Sequence, residues 1–146
     1  TPLDKDLIFY RSYFESVRTR LERGFLISDK VQEEYLNEKI PPSILLVPFY
    51  EELFFGRYSR FFESIERITY SSQESSEENI CLCMEFYPVK NSEFFNHRMQ
   101  NDGNLKEIHD FLSHFNKSLF EASVVDDTFS MQLNFHLLYE LDEQPV

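Results

Sequence analysis

One stretch constrains this chain more than any other: Ile44 to Tyr70, ILLVPFYEELFFGRYSRFFESIERITY, with seven aromatic side chains between Phe49 and Phe62. At about 100° per residue, a helix begun at Pro48 gathers Tyr50, Phe54, Phe55, Tyr58, Phe61, Phe62, Ile65 and Ile68 within an arc of roughly 140°. Arg57, Ser59, Arg60, Glu63, Ser64, Glu66 and Arg67 fill the other side. Glu51 and Glu52 fall in its first turn and Arg67 near its end, as the helix dipole prefers. The spacing therefore predicts a long aromatic helix whose broad face needs a core to cover it.

Composition says what that core is made of. The chain has 146 residues, enough for one domain burying roughly two thirds of its unfolded surface. Sixteen Phe, no Trp, three Gly and a single alanine, Ala122, give large pieces to interlock and few small ones for close backbone approach. Gly24, Gly56 and Gly103 lie too far apart for a glycine-rich phosphate loop.

Around the aromatic stretch, the first seventy residues read as helical. Thr1-Pro2-Leu3-Asp4 is a helix start, and Leu3, Leu7, Tyr10, Phe14, Val17 and Leu21 recur at steps of four and three up to Gly24. That stripe is the candidate interface for a partner helix, although Ile8, Phe9 and Tyr13 widen it beyond a two-stranded seam. Ser28-Asp29 suggests the cap of a short acidic helix through Val31, Tyr35, Leu36 and Ile40, ended by Pro41-Pro42. Residues 43–47 fit a helical turn or an extended connector.

SSQESSEEN, residues 71–79, reads as a solvated acidic loop, in which Ser71 and Ser75 precede acids at a spacing that acidophilic kinases accept. Beyond it the pattern changes. Residues 80–87, ICLCMEFY, are apolar on both faces and predict an interior strand. Residues 91–100 fit a short helix or a strand. Asn104 with Glu107 forms a capping box before a helix through Leu105, Ile108, Phe111, Leu112, Phe115, Leu119 and Phe120. Phe129, Met131, Leu133, Phe135, Leu137, Tyr139 and Leu141 alternate with mostly polar residues as a long strand. The fold class expected is α+β: three N-terminal helices packed on a small, mostly antiparallel sheet with one covering helix, all in a single domain of residues 1–146. Ala122–Val125 and 69–71 are the only further strand candidates, which predicts an open sheet edge able to pair with another chain.

Chemistry is sparsely encoded. Cys81, Cys83, His109 and His114 have the wrong spacing for a zinc knuckle, so no metal and no cofactor is expected. No Gly-x-Ser-x-Gly elbow exists, and neither cysteine has a neighbouring base, which leaves no catalytic residue to name. Glu85, alone among apolar neighbours, is the best acid–base candidate, yet it fits a strand-end carboxylate facing water as well; His97 and His136 read as surface imidazoles. The net charge of −12 lies mostly after Tyr70, where Lys90, Arg98, Lys106 and Lys117 face fourteen acids. Nucleic acid and an anionic membrane are disfavoured partners; a basic protein is the complementary one.

Three functions are compatible with this. The first is a non-enzymatic protein–protein interaction domain, a scaffold or adaptor of a larger intracellular protein or complex, nuclear or cytoplasmic, assembling with itself or others. The start at Thr1 rather than Met reads as a processed or an excised chain, and the helix signal beginning at residue 1 favours an excised domain. The second is a pocket-type enzyme or a binder of apolar small molecules, its cavity lined by the aromatic arc beside Phe54, Phe61 and Met84. The third is an acidic inhibitor or immunity-type protein that binds a basic partner.

Overall fold

In the computed structural model, which describes residues 1–76, 78–114 and 118–136, five helices lie against a five-stranded sheet. The fold class is α+β, with the N-terminal helices packed on the sheet as expected. Helix α1 (Leu3–Leu21) leads to strand β1 (Leu26–Lys30), and α2 (Val47–Phe54) and the short α3 (Ser59–Phe62) lead to β2 (Arg67–Ser76). Strand β3 (Asn79–Tyr87), helices α4 (Ser92–Met99) and α5 (Gly103–Leu112) and the hairpin β4 (Leu119–Val125) and β5 (Thr128–His136) complete it. The order is β1-β2-β3-β5-β4, with β1 parallel to β2 and every other pair antiparallel.

The register stacks the inward side chains in rows across the strands: Ile68, Phe86, Phe129 and Val124, then Tyr70, Met84, Met131 and Ala122, then Ser72, Leu82, Leu133 and Phe120. The helices cover these rows. Over the first row lies a cluster of rings, in which Phe86 meets Phe14, Tyr50, Phe54, Phe62 and Phe129 at centroid separations of 5.8–6.1 Å. Phe95 from α4 packs edge-on to Phe129 at 5.1 Å. Such pairs add about 0.5–1.5 kcal/mol each beyond area burial, so this cluster is the fold's strongest apolar element.

Several expectations change here. The aromatic stretch is not one helix: α2 stops at Phe54, and the turn through Gly56 redirects the chain so that rings on both sides of it reach Phe86 and Phe129. Glu52 folds back over this turn, its carboxylate accepting the Arg57 backbone N–H at 3.0 Å and the Arg57 Nε at 3.1 Å. Local periodicity loses to the gain from packing both halves on the sheet. The acidic helix after Ser28 is instead strand β1 followed by a single 3-10 turn, Glu33–Tyr35, because residues 26–30 pair with β2. Residues 71–76 are not a loop but the second half of β2, and β3 begins at Asn79; the polar alternation belongs to a strand with one wet face.

Helix α1 ends at Leu21 with Glu22, not a glycine, in the left-handed conformation (φ 54°). Its first turn is closed by backbone carbonyls rather than by Thr1: the N–H groups of Leu3 and Asp4 donate to Glu38 and Leu36, both at 2.9 Å. The stripe read as a partner interface is inside the molecule, with Leu3, Leu7, Tyr10, Phe14 and Val17 all buried and Leu21 half-buried against the same core. Residues 80–87 are the central strand, 91–100 contain a helix, and 119–125, extending the short Ala122–Val125 candidate, form a strand. The sheet margins are β1 and β4. Helix α5 stops at Leu112, so Leu119 and Phe120 belong to β4, and the hairpin to β5 turns on Asp126 and Asp127, both with positive φ. The expected strand positions Leu137, Tyr139 and Leu141, and the expected helix position Phe115, lie outside the described residues.

A Cβ added at Gly56 would sit 2.6 Å from the Glu52 Oε2 and 3.0 Å from its Cα. Gly56→Ala is expected to displace the Glu52 carboxylate from Arg57 and to cost about 1–2 kcal/mol, read as a lower thermal melting midpoint.

Candidate functional site

The second and third rows of the sheet are covered differently from the first. Over them lie Pro41, Pro42 and the 3-10 turn Ser43–Leu46, together with Leu112 at the end of α5. These pieces leave an apolar cavity of about 50 Å³ against Tyr70, Leu82, Met84, Met131, Leu133 and Phe120. A shallow groove of about 200 Å³ adjoins it, formed by Leu45, Glu107, Ile108, Phe111 and Leu112, so that Leu45 and Leu112 belong to both. Along the groove Phe111 is 59% exposed and Leu45 37%, and Ile44, next to Leu45 in the chain, is 58% exposed.

A buried carboxylate fixes the cavity wall. Asp6, 2% exposed, accepts hydrogen bonds from the Ser43 backbone N–H at 2.7 Å, the Ser43 hydroxyl at 2.5 Å and the Tyr70 hydroxyl at 3.0 Å. Three donors replace the water that the carboxylate lost, and one residue of α1 thereby ties the 3-10 turn to strand β2. Burial, then the nearby Asp6 charge, pushes the Tyr70 hydroxyl well above its ordinary pKa, so it stays a donor.

A second buried carboxylate positions the far end of α5. Asp102, 2% exposed, caps the helix by accepting the Leu105 N–H at 3.0 Å, and also accepts from the Arg57 Nη2 at 2.7 Å and the Tyr58 hydroxyl at 2.5 Å. Burial, followed by that hydrogen bond, pushes the Tyr58 hydroxyl up to about 12.

The residues singled out from sequence do not converge on this site. The side chains of Cys81, Cys83 and Glu85 alternate with the inward Leu82, Met84 and Phe86 and so belong to the opposite face of β3, although Cys83, between Leu82 and Met84, also borders the cavity; Glu85 shares a polar hollow on that opposite face with Lys30, Arg67, Thr69, Ser71 and Gln73. Ser71 lies within β2, paired on both sides, and the backbone of Ser75 lies near its end. His109 is on α5, on the other side of the sheet from the cysteines, and among the described residues no three His, Cys, Asp or Glu side chains are grouped to hold a metal ion. The arginines of α1 are engaged within the molecule: Arg11 with Asp29, Arg20 with Glu51, and Arg18 and Arg23 with the carbonyls of Phe25 and Phe62. The aromatic arc does not line the cavity either, since Phe54 and Phe61 are packed ring against ring. Sequence reasoning missed Leu45, Leu112 and Phe120 as lining residues; the one available signal was Pro41-Pro42, which forces an irregular segment.

No protein-family model matches the sequence, and no curated protein matches it significantly. Solved structures do match its fold. The histidine kinase AdeS of Acinetobacter baumannii superimposes with a TM-score of 0.61 at 11% identity, over 93% of this chain and 65% of that one. A nucleotide-free form of the catalytic domain of histidine kinase ThkA gives 0.61 at 8% identity, over 93% and 92%. ThkA in complex with the response regulator TrrA gives 0.62 at 8%, over 93% of this chain and 40% of that one. At such identities the likeness establishes a shared fold. It is a fold of enzyme catalytic domains, and this overturns the expectation of a non-enzymatic scaffold or adaptor. The pocket-type alternative agrees better with it, at a cavity other than the one the aromatic arc suggested.

Two measurements check this geometry. Asp6→Ala leaves three donors without an acceptor and is expected to cost about 2–4 kcal/mol in urea unfolding, with Asp6→Asn recovering part of the loss. Burial, then Glu85, pushes the Cys83 thiol up to about 12, so at pH 8 it is almost wholly protonated. Its alkylation by iodoacetamide, followed by mass spectrometry, is expected to run about a hundredfold or more slower than that of an unstructured cysteine peptide.

Proposed function

We propose that this chain is a pocket-type domain, built on the fold of histidine kinase catalytic domains, that binds a small apolar molecule between the Ser43–Leu46 turn, the end of α5 and the sheet. The observation that carries the reading is the adjacency of the apolar cavity and the groove, which share Leu45 and Leu112, with Phe111 exposed beside them. A ligand would seat a short alkyl or methyl branch in the cavity and lay the rest of its body along the groove. Removing apolar surface from water at about 25 cal/mol per Å² is the driving force. The domain itself holds its walls by Asp6 and Asp102, so the site is organised before the ligand arrives.

A protein partner belongs to the same reading. ThkA is seen in complex with a response regulator, and a chain of this fold with net charge −12 suits a partner with a basic face. No helix among the described residues is long and apolar enough to cross a membrane, and an intracellular setting accords with the reading.

Binding of the neutral fluorophore N-phenylnaphthylamine tests the site. The chain is expected to enhance its emission, and Leu45→Glu and Phe111→Glu, both at exposed positions where folding tolerates a charge, are expected to weaken binding about tenfold or more. Unchanged affinity in both variants would place the ligand elsewhere and end the proposal.

A further inference from the structure

We infer that the ligand of this domain carries no phosphate, so that nucleotides are not taken up despite the fold. The inference deepens the reading above and rests on it, because it concerns the charge of what the same site accepts. A nucleotide needs cations, or a run of unpaired backbone N–H groups, to face its phosphates. The cavity and groove offer neither. Among their lining residues the one charged side chain is Glu107, which repels an anion.

The rest of the described chain does not supply the missing charge. Helix N-termini are the usual phosphate seats, and each of the longer ones is taken. At α1, Asp4 and Asp6 occupy the first turn, and two of its N–H groups are already bonded to the loop carbonyls of Leu36 and Glu38. Pro48 removes an N–H from the first turn of α2, Glu93 sits in that of α4, and the Asp102 carboxylate fills that of α5. Arg11, Arg20, Arg57 and Lys90 are in ion pairs, while Arg67 and Arg98 lie over the rings of Tyr87 and Tyr58. Arg18 and Arg23 donate to the carbonyls of Phe25 and Phe62, and the remaining described cations, Lys5, Lys30, Lys39, Arg60 and Lys106, are exposed and scattered over separate elements. The polar hollow on the outer face of the sheet joins Lys30 to Arg67, but Glu85 shares it and Arg67 is committed to Tyr87.

An open hollow of about 350 Å³ beside Lys106 and His109 also holds Asp110, and the space among the first-row rings is closed. The rings of Phe14, Phe49, Tyr50, Phe62, Phe86, Phe95 and Phe129 are each at most 1% exposed, so a purine could enter between helices and first row only by displacing them.

Melting of the chain with millimolar MgATP or MgADP, together with the fluorescence of N-methylanthraniloyl-ATP, reads the outcome. No rise in melting midpoint and no fluorescence change are expected, since a micromolar site at that concentration would raise the midpoint by several degrees. A saturable midpoint rise, or analogue fluorescence that unlabelled MgATP displaces, overturns the inference. N-phenylnaphthylamine in parallel samples separates the two readings. If it binds while MgATP also binds, the apolar site stands and this inference fails; if neither binds, the absence of nucleotide uptake stands and the apolar site fails.

Discussion

Everything in this protein is arranged about the pairing of Phe86 with Phe129 across adjacent strands. Their rings, stacked 5.8 Å apart, form a floor for side chains from α1, α2, α3 and α4. Because β3 is the middle strand, rings descending from both directions meet there, and the sheet needs no second covering layer at that end. The break at Gly56 follows from this demand. A straight helix would carry Phe61 and Phe62 away from the floor, whereas the turn returns them to it.

The other half of the same face is held by different physics. Where rings run out, two buried carboxylates take over, Asp6 for the Ser43–Leu46 turn and Asp102 for the start of α5. Each is worth its cost of burial only because three donors meet it. Directional bonds of this kind fix where a segment sits without filling the space beneath it. Tight aromatic packing at one end and polar anchoring at the other therefore leave a cavity between them, with no aromatic ring from α2 available to close it.

What could be read from the chain alone divides along the same line. The central strand at 80–87, the amphipathic face of α1 and the α+β class were legible because burial imposes a period that survives in the sequence. The stretch after Pro48 misled for an instructive reason: its helical arc exists locally, but the same rings satisfy a bent path better once a sheet is present. The strand β1 was hidden because LISDK lies at an edge and alternates weakly, and β2 because an edge-to-centre strand with one wet face can be as polar as SSQESS. Nothing in the sequence marked the site, since cavities arise where segments distant along the chain fail to fill space. Pro41, Leu112 and Leu133 share no motif.

The anchoring of α5 has a further mechanical meaning. Its first turn is joined by Asp102 to Arg57 and Tyr58, while its last residue, Leu112, forms one jamb of the groove about 15 Å away. The other tip is pinned too, where the Ser118 hydroxyl donates to the Leu112 carbonyl. A rod held at both tips keeps its tilt, so the jamb of the groove inherits its place from the Gly56 turn at one end and from the approach to β4 at the other.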